Sequence, residues 1–175
     1  MLTLQMTAVK RRSLWREGTA YAILRDDTKI GRIDISGRPQ RDGEAQIEIG
    51  ELVYQGRIQV TGKAHWTYVP SRWAMQSQGR DLHVAIWESG KTWVTEAEEG
   101  IEALRLRRAA LTGVMSIERE ADQTALGELK WLRARLLPKA VPQGVALETG
   151  LNLPETFHVF LLWLVVQDNY RNTDG

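Results

Sequence analysis

Residues 157–166 read FHVFLLWLVV, nine apolar side chains in ten positions with His158 as the one interruption. A helix lying on a protein surface carries a polar stripe at helical spacing, and this segment has none. A helix that is apolar all round must be enclosed on every side, by protein or by lipid. Crossing a bilayer takes about 20 apolar residues, whereas a run of about 10–14 points to a buried core helix. The stretch is therefore expected to be the central post of a soluble domain, with the rest of the chain as its wall. Asn152 can cap the helix, Pro154 is tolerated in the first turn, and Glu155 completes an N-x-x-E capping box. The predicted helix runs from Leu153 to Asp168, with 171–175 as a tail.

The preceding residues read as wall. Leu2, Leu4 and Met6 alternate with Thr3, Gln5 and Thr7, the period of a strand. Lys10 to Gly18 is charged and turn-like. Thr19 to Arg25 and Lys29 to Ile35 form a predicted hairpin around Asp26-Asp27-Thr28. After a loop with Gly37, Pro39 and Gly43, strands are expected over 45–49, 52–61, 63–69, 81–87, 91–95, 101–107, 112–118, 126–131, 132–137 and 145–149. Such short strands at regular spacing predict a mostly β fold. One domain over 1–175 is expected, its wall a barrel or a sandwich of about twelve or thirteen short strands. A short internal echo is also present. Ile30-Gly31-Arg32-Ile33 followed by 45–50 is matched by Leu126-Gly127-Glu128-Leu129 followed by 145–150, as a duplicated half-barrel would produce.

Bulk composition narrows the functional classes. The 175 residues suit a single domain, and a formal charge of +1 argues against nucleic acid as a partner. The absence of cysteine excludes disulfides, thiolate chemistry and Cys-ligated zinc. The start, MLTLQMTAVKRR, places its basic cluster after a weakly apolar segment and does not read as a signal peptide. A cytoplasmic protein without a transmembrane segment is expected. Seven tryptophans against two phenylalanines suggest that some indoles lie at a surface or interface.

The Leu-Gly-Glu-Leu hairpin at 126–129, the basic strand after it, the Leu-Glu-Thr-Gly-Leu ending at 147–151 and the Leu-Pro opening of an apolar helix together resemble one family. It is the superfamily of tubby-like, LURP-one-related and phospholipid-scramblase proteins. The resemblance implies a closed antiparallel β-barrel of about twelve strands, in two similar halves, around a central hydrophobic C-terminal helix, and that is the fold expected. It also implies phosphoinositide recognition through a basic surface, as in tubby-like members. The chain departs from the scramblase pattern, having no cysteines for palmitoylation and no D-x-[DN]-x-[DN]-G calcium loop.

Candidate site residues follow from alternation. Trp131, Arg133 and Arg135 share one strand face, and Arg105 and Arg107 share another. Were those strands neighbours, four guanidiniums and an indole could hold a phosphate-bearing head group bidentately. The other reading is a solvated exterior in which each Arg pairs with Glu. Lys10, Arg11 and Arg12 with Trp15 form a second basic cluster, either membrane-facing or simply solvated. His65, His83 and His158 lack metal-ligand spacing, so His83 and His158 read as satisfied structural histidines, and neither metal nor cofactor is expected. Asp26, Asp27, Glu96, Glu98 and Glu99 fall in predicted turns, where acids are common without chemistry. Trp66, Tyr68 and Trp73 around Pro70 pack inward or form a partner-facing patch.

The expected function is a non-enzymatic binding module for anionic phospholipid head groups or a protein partner, peripheral to a membrane. The alternatives are a carrier of a small apolar ligand and an enzyme using turn carboxylates such as Asp26, Glu118 or Asp122.

Overall fold

The computed structural model describes residues 1–11, 17–36, 44–63, 69–89, 92–109, 114–132 and 144–172. Twelve strands run antiparallel, each paired with its sequence neighbour, and β1 closes on β12. They are β1 (Leu2–Arg11), β2 (Glu17–Arg25), β3 (Thr28–Ser36), β4 (Glu44–Ile49), β5 (Leu52–Val60) and β6 (Ser71–Ser77). The other six are β7 (Arg80–Ser89), β8 (Thr92–Thr95), β9 (Leu104–Arg108), β10 (Met115–Arg119), β11 (Ala125–Leu132) and β12 (Gly144–Thr149). One helix follows, α1 (Glu155–Asn172). Closure matters because an open sheet leaves a row of unpaired backbone groups at each edge. Here Leu2 to Gln5 pair with Leu147 to Gly144, and no such edge remains between the first and last strands.

The apolar stretch occupies the barrel interior. Phe157 and every residue from Val159 to Val166 are at most 2% exposed, and Phe160, Leu161 and Leu164 are completely covered. Inward positions of the wall, such as Ile23, Ile33, Ile47, Leu106, Ile117 and Val145, close over them. Trp73, Trp87, Trp93 and Trp163 also belong to this core, with ring centroids 5.6–6.2 Å apart across the linked pairs. The wall is shaped to the helix at one point in particular. A β-carbon on Gly56 would sit 2.7 Å from the Trp163 indole, so this inward position has to be bare.

Several boundaries differ from expectation. The helix starts at Glu155, because Pro154 supplies the carbonyl that accepts from Phe157 and His158. Asn152 therefore lies outside the helix rather than capping it. The strand beside β5 and β7 is Ser71–Ser77, which was not anticipated. Outward-facing Ala74 blurs its alternation, and Pro70 reads as the end of a strand when it precedes the start of one. Of the strand expected over 63–69, residues 64–68 lie outside the description and 63 and 69 are not strand. Residues 10, 11, 17 and 18, expected in a turn, extend the pairing of β1 with β2. The strand expected over 132–137 lies outside the described residues except for Leu132, which belongs to β11.

The internal echo is a threefold repeat of four strands, in place of a duplicated half. One line of paired residues runs Ile35, Ala45, Gly56, Met75, His83 across β3 to β7. A second runs Trp87, Trp93, Leu106, Ile117, Gly127 across β7 to β11. A third runs Trp131, Val145, Leu4, Ile23, Gly31 across β11, β12 and β1 to β3. Each line ends beside the same irregularity: the register shifts after Met75, Ile117 and Ile23 alike. Gly31 and Gly127 must be glycine there, because a β-carbon would collide with the carbonyl oxygens of Glu48 and Glu148. In the remaining unit that position is His83.

Two substitutions test this packing. Leu161→Asp places an unpaired charge at a fully covered site and should cost several kcal/mol, read by denaturant unfolding. Gly56→Ala should destabilise by about 1–3 kcal/mol through overpacking against Trp163. The smaller ring of Trp163→Phe should recover part of that loss in the double variant.

Candidate functional site

The barrel has two unlike rims. In an up-and-down barrel, connections alternate between the ends. The β2–β3, β4–β5, β6–β7, β8–β9, β10–β11 and β12–α1 connections share one rim, through which the helix enters. The other rim receives the remaining connections and the end of α1. Charge divides between them. Segments 24–30, 48–53, 76–83, 95–104, 118–128 and 148–155, at the entry rim, carry 15 acidic and 4 basic residues. Among the described residues, the strand and helix ends of the opposite rim carry six basic residues, Lys10, Arg11, Lys63, Arg107, Arg108 and Arg171, and one acidic residue, Glu17. A formal charge of +1 conceals this separation.

The basic residues singled out by alternation are distributed as follows. β10 lies between β9 and β11, so Arg105 and Arg107 are not on a strand adjacent to Trp131. Arg105 donates from Nε and Nη2 to both oxygens of Glu120 at 2.6 Å, and Glu88 lies 3.8 Å away. That bond holds the Glu120 carboxyl below its ordinary range. Arg107 is half exposed and 3.9 Å from Glu118. Trp131 is paired with Val145 in the backbone, while its side chain, together with Arg133 and Arg135, lies outside the description. Lys10 and Arg11 end β1, and Arg12, Trp15, His65, Trp66 and Tyr68 are likewise outside it. Arg108 turns inward, where its Nη1 lies 3.1 Å from Asp168, a carboxylate 1% exposed near the end of α1.

At the entry rim, polar groups gather around the first turn of α1. His83, 3% exposed on β7, is held from both sides. Its Nδ1 is 3.0 and 2.9 Å from the two Glu98 oxygens, and its Nε2 is 3.0 Å from Thr156 Oγ1. The ring meets Phe157 edge-on at 5.0 Å and lies 5.6 Å from Phe160. Burial lowers the His83 pKa, and Glu98 opposes that shift. A neutral ring fits these partners in one tautomer: Nδ1–H donates to Glu98 and Nε2 accepts from the Thr156 hydroxyl. On the other side of the turn, Arg25 pairs with Glu155, and the Met1 ammonium pairs with Asp26 at 2.6 Å. These residues, with Leu147, Leu153 and His158, line a cavity of about 340 Å³. His158 bonds to the backbone of Leu151, and burial again lowers its pKa.

The turn carboxylates do not converge. Asp26 is at the mouth, Asp122 binds Arg119 and the Thr124 amide, and Glu118 accepts from Ser116. A second cavity, about 380 Å³, lies between Arg57, Gln59, Arg72 and Gln76 on the outer face of β5 and β6. Arg72 and Gln76 are both committed to Asp81.

Sequence spacing could not assemble the His83 cluster. His83, Glu98 and Thr156 are far apart in the chain, and only the strand register and the entry point of α1 unite them. Comparison with family models, curated proteins and solved structures finds no match to this chain.

The two histidines predict a pH dependence. Their folded pKa values lie below the ordinary 6.5. The unfolded chain therefore takes up protons first as pH falls, so this stability is present above about pH 6.5 and lost through the folded pKa values below it. Thermal melts should drop between neutral pH and about pH 5, and His83→Gln should flatten part of that slope. A melting temperature constant across the window would contradict the assignment.

Proposed function

We propose that the protein is a binding module that docks end-on, through its basic rim, onto anionic phospholipid head groups. The supporting observation is the sorting of charge along the barrel: among the described residues one rim carries Lys10, Arg11, Lys63, Arg107, Arg108 and Arg171 against Glu17, and the other rim shows the reverse imbalance. Such a distribution orients the molecule in the field of an anionic surface before contact. Each Lys or Arg near that surface contributes about 1 kcal/mol, so several together give firm attachment where three alone would not. The interior supports attachment at the outside rather than carriage of a ligand within, because α1 fills the space an apolar guest would need. Among the described residues no helix is long and apolar enough to cross a membrane, so the proposed contact is peripheral.

Vesicle co-sedimentation tests the reading. Binding to vesicles of phosphatidylcholine with phosphatidylserine or phosphoinositide should exceed binding to phosphatidylcholine alone and weaken with salt. Lys63→Gln and Arg107→Gln, at the basic rim, should each weaken it about fivefold. Glu51→Gln and Glu99→Gln, at the entry rim, should leave it unchanged. No difference between anionic and neutral vesicles would overturn the lipid proposal and leave an acidic protein face as the partner to seek.

A further inference from the structure

Three departures from the fourfold-strand repeat meet at one point of the entry rim. His83 stands where the other units require glycine. Strands β4 and β5 are joined by the two-residue turn Gly50-Glu51, but β8 and β9 are joined by eight residues, 96–103, which bring Glu98 over the imidazole. The first turn of α1 then delivers Thr156 to the opposite ring nitrogen.

The chain of groups is hydroxyl, imidazole, carboxylate, each within 3.0 Å of the next. That is the arrangement by which a weak nucleophile is activated: a base within hydrogen-bond reach, itself oriented by a third group. The ring is fixed by burial, while Thr156 is only half buried and Glu98 retains 23% of its side-chain exposure. The amides of Glu155 and Thr156, the first two of α1, have no carbonyl one turn back within the helix, and the positive end of the helix dipole lies beside Thr156.

We propose that Thr156, His83 and Glu98 form a nucleophilic site at the mouth of the barrel that accepts an acyl group from an uncharged or cationic ester. Thr156 Oγ1 attacks the ester carbonyl carbon while its proton passes to His83 Nε2. The tetrahedral adduct expels the alkoxide, which takes that proton from Nε2 and leaves as the alcohol, giving acyl-Thr156. Water, deprotonated by the same nitrogen, releases the acid and restores the hydroxyl. Glu98 is a positioning residue that holds the tautomer. The substrate class follows from the rim: 15 acidic residues against 4 basic ones repel anionic acyl donors. This site rests on its own geometry and stands or falls separately from docking at the opposite rim.

The test is incubation of the full chain with p-nitrophenyl acetate at neutral pH, followed by peptide mass spectrometry. An acetyl group on Thr156 is expected in the wild type. It should be absent in Thr156→Val, retained in Thr156→Ser, and formed at least about 100-fold more slowly in His83→Gln. Glu98→Gln should lower both the rate and the midpoint of its pH profile, since the carboxylate raises the basicity of the ring. Acetylation confined to lysines in the folded wild type overturns the proposal without any variant. Equal labelling of Thr156 in His83→Gln also overturns it.

Discussion

Everything in this molecule answers to one constraint: the stretch 159–166 of α1 has no polar face and has to be kept from water on every side. One sheet packed on one side would leave most of α1 exposed. A second layer would introduce edges that need covering in turn. A sheet that closes on itself solves both problems, because it surrounds the helix and pairs its first strand with its last. An 18-residue helix is about 27 Å long, enough to run from one rim towards the other. Near its far end the enclosure turns polar, and Arg108 meets Asp168 inside the wall. Buried charge survives there because each group has a partner.

A threefold wall around a single helix raises a packing problem that the side chains solve. Equivalent inward positions carry Ala45, Trp93 and Val145 on β4, β8 and β12, and Gly56 and Leu106 on β5 and β9. Small residues stand where Trp163 leans against the wall, and indoles fill the sector around Trp87 and Trp93. Symmetry of the backbone is thus kept while symmetry of volume is given up. The same economy explains why His83 is informative: the repeat defines what a purely architectural residue would be at that position, and it would be glycine.

The rims divide the work differently. At the entry rim the connections are mostly tight, with paired positive-φ residues Asp26-Asp27 and Gln78-Gly79 making two-residue turns of the kind that suit twisted hairpins. Among the acids collected there, Asp26, Asp81, Glu102, Glu120 and Asp122 form local ion pairs, and Glu51 and Glu99 face solvent. The described basic residues of the other rim stand on separate elements, Lys10 and Arg11 on β1, Lys63 after β5, Arg107 and Arg108 on β9 and Arg171 on α1. Alternation drew attention to Arg105 and Arg107, of which Arg105 is answered by Glu120, just past β10, while Arg107 stays half exposed 3.9 Å from Glu118. What distinguishes the basic rim is a sum over segments distant in sequence, and a whole-chain charge near zero hides it.

The amino-acid sequence alone determined the enclosed helix, the strand-rich wall and the paired passages at 30–33 and 126–129, and left a barrel and a sandwich both open until the order of elements was compared with a known family. These are legible because burial is encoded locally, in runs and alternations of a few residues. β6 was lost because Ala74 is short enough to be covered by its neighbours while facing outward, which breaks the pattern without breaking the strand. The threefold register, the separation of charge between rims and the meeting of His83, Glu98 and Thr156 were decided only by tertiary structure. Each depends on which residues stand opposite one another across hydrogen-bonded strands. That pairing is fixed by closure of the whole barrel and by no stretch of it taken singly.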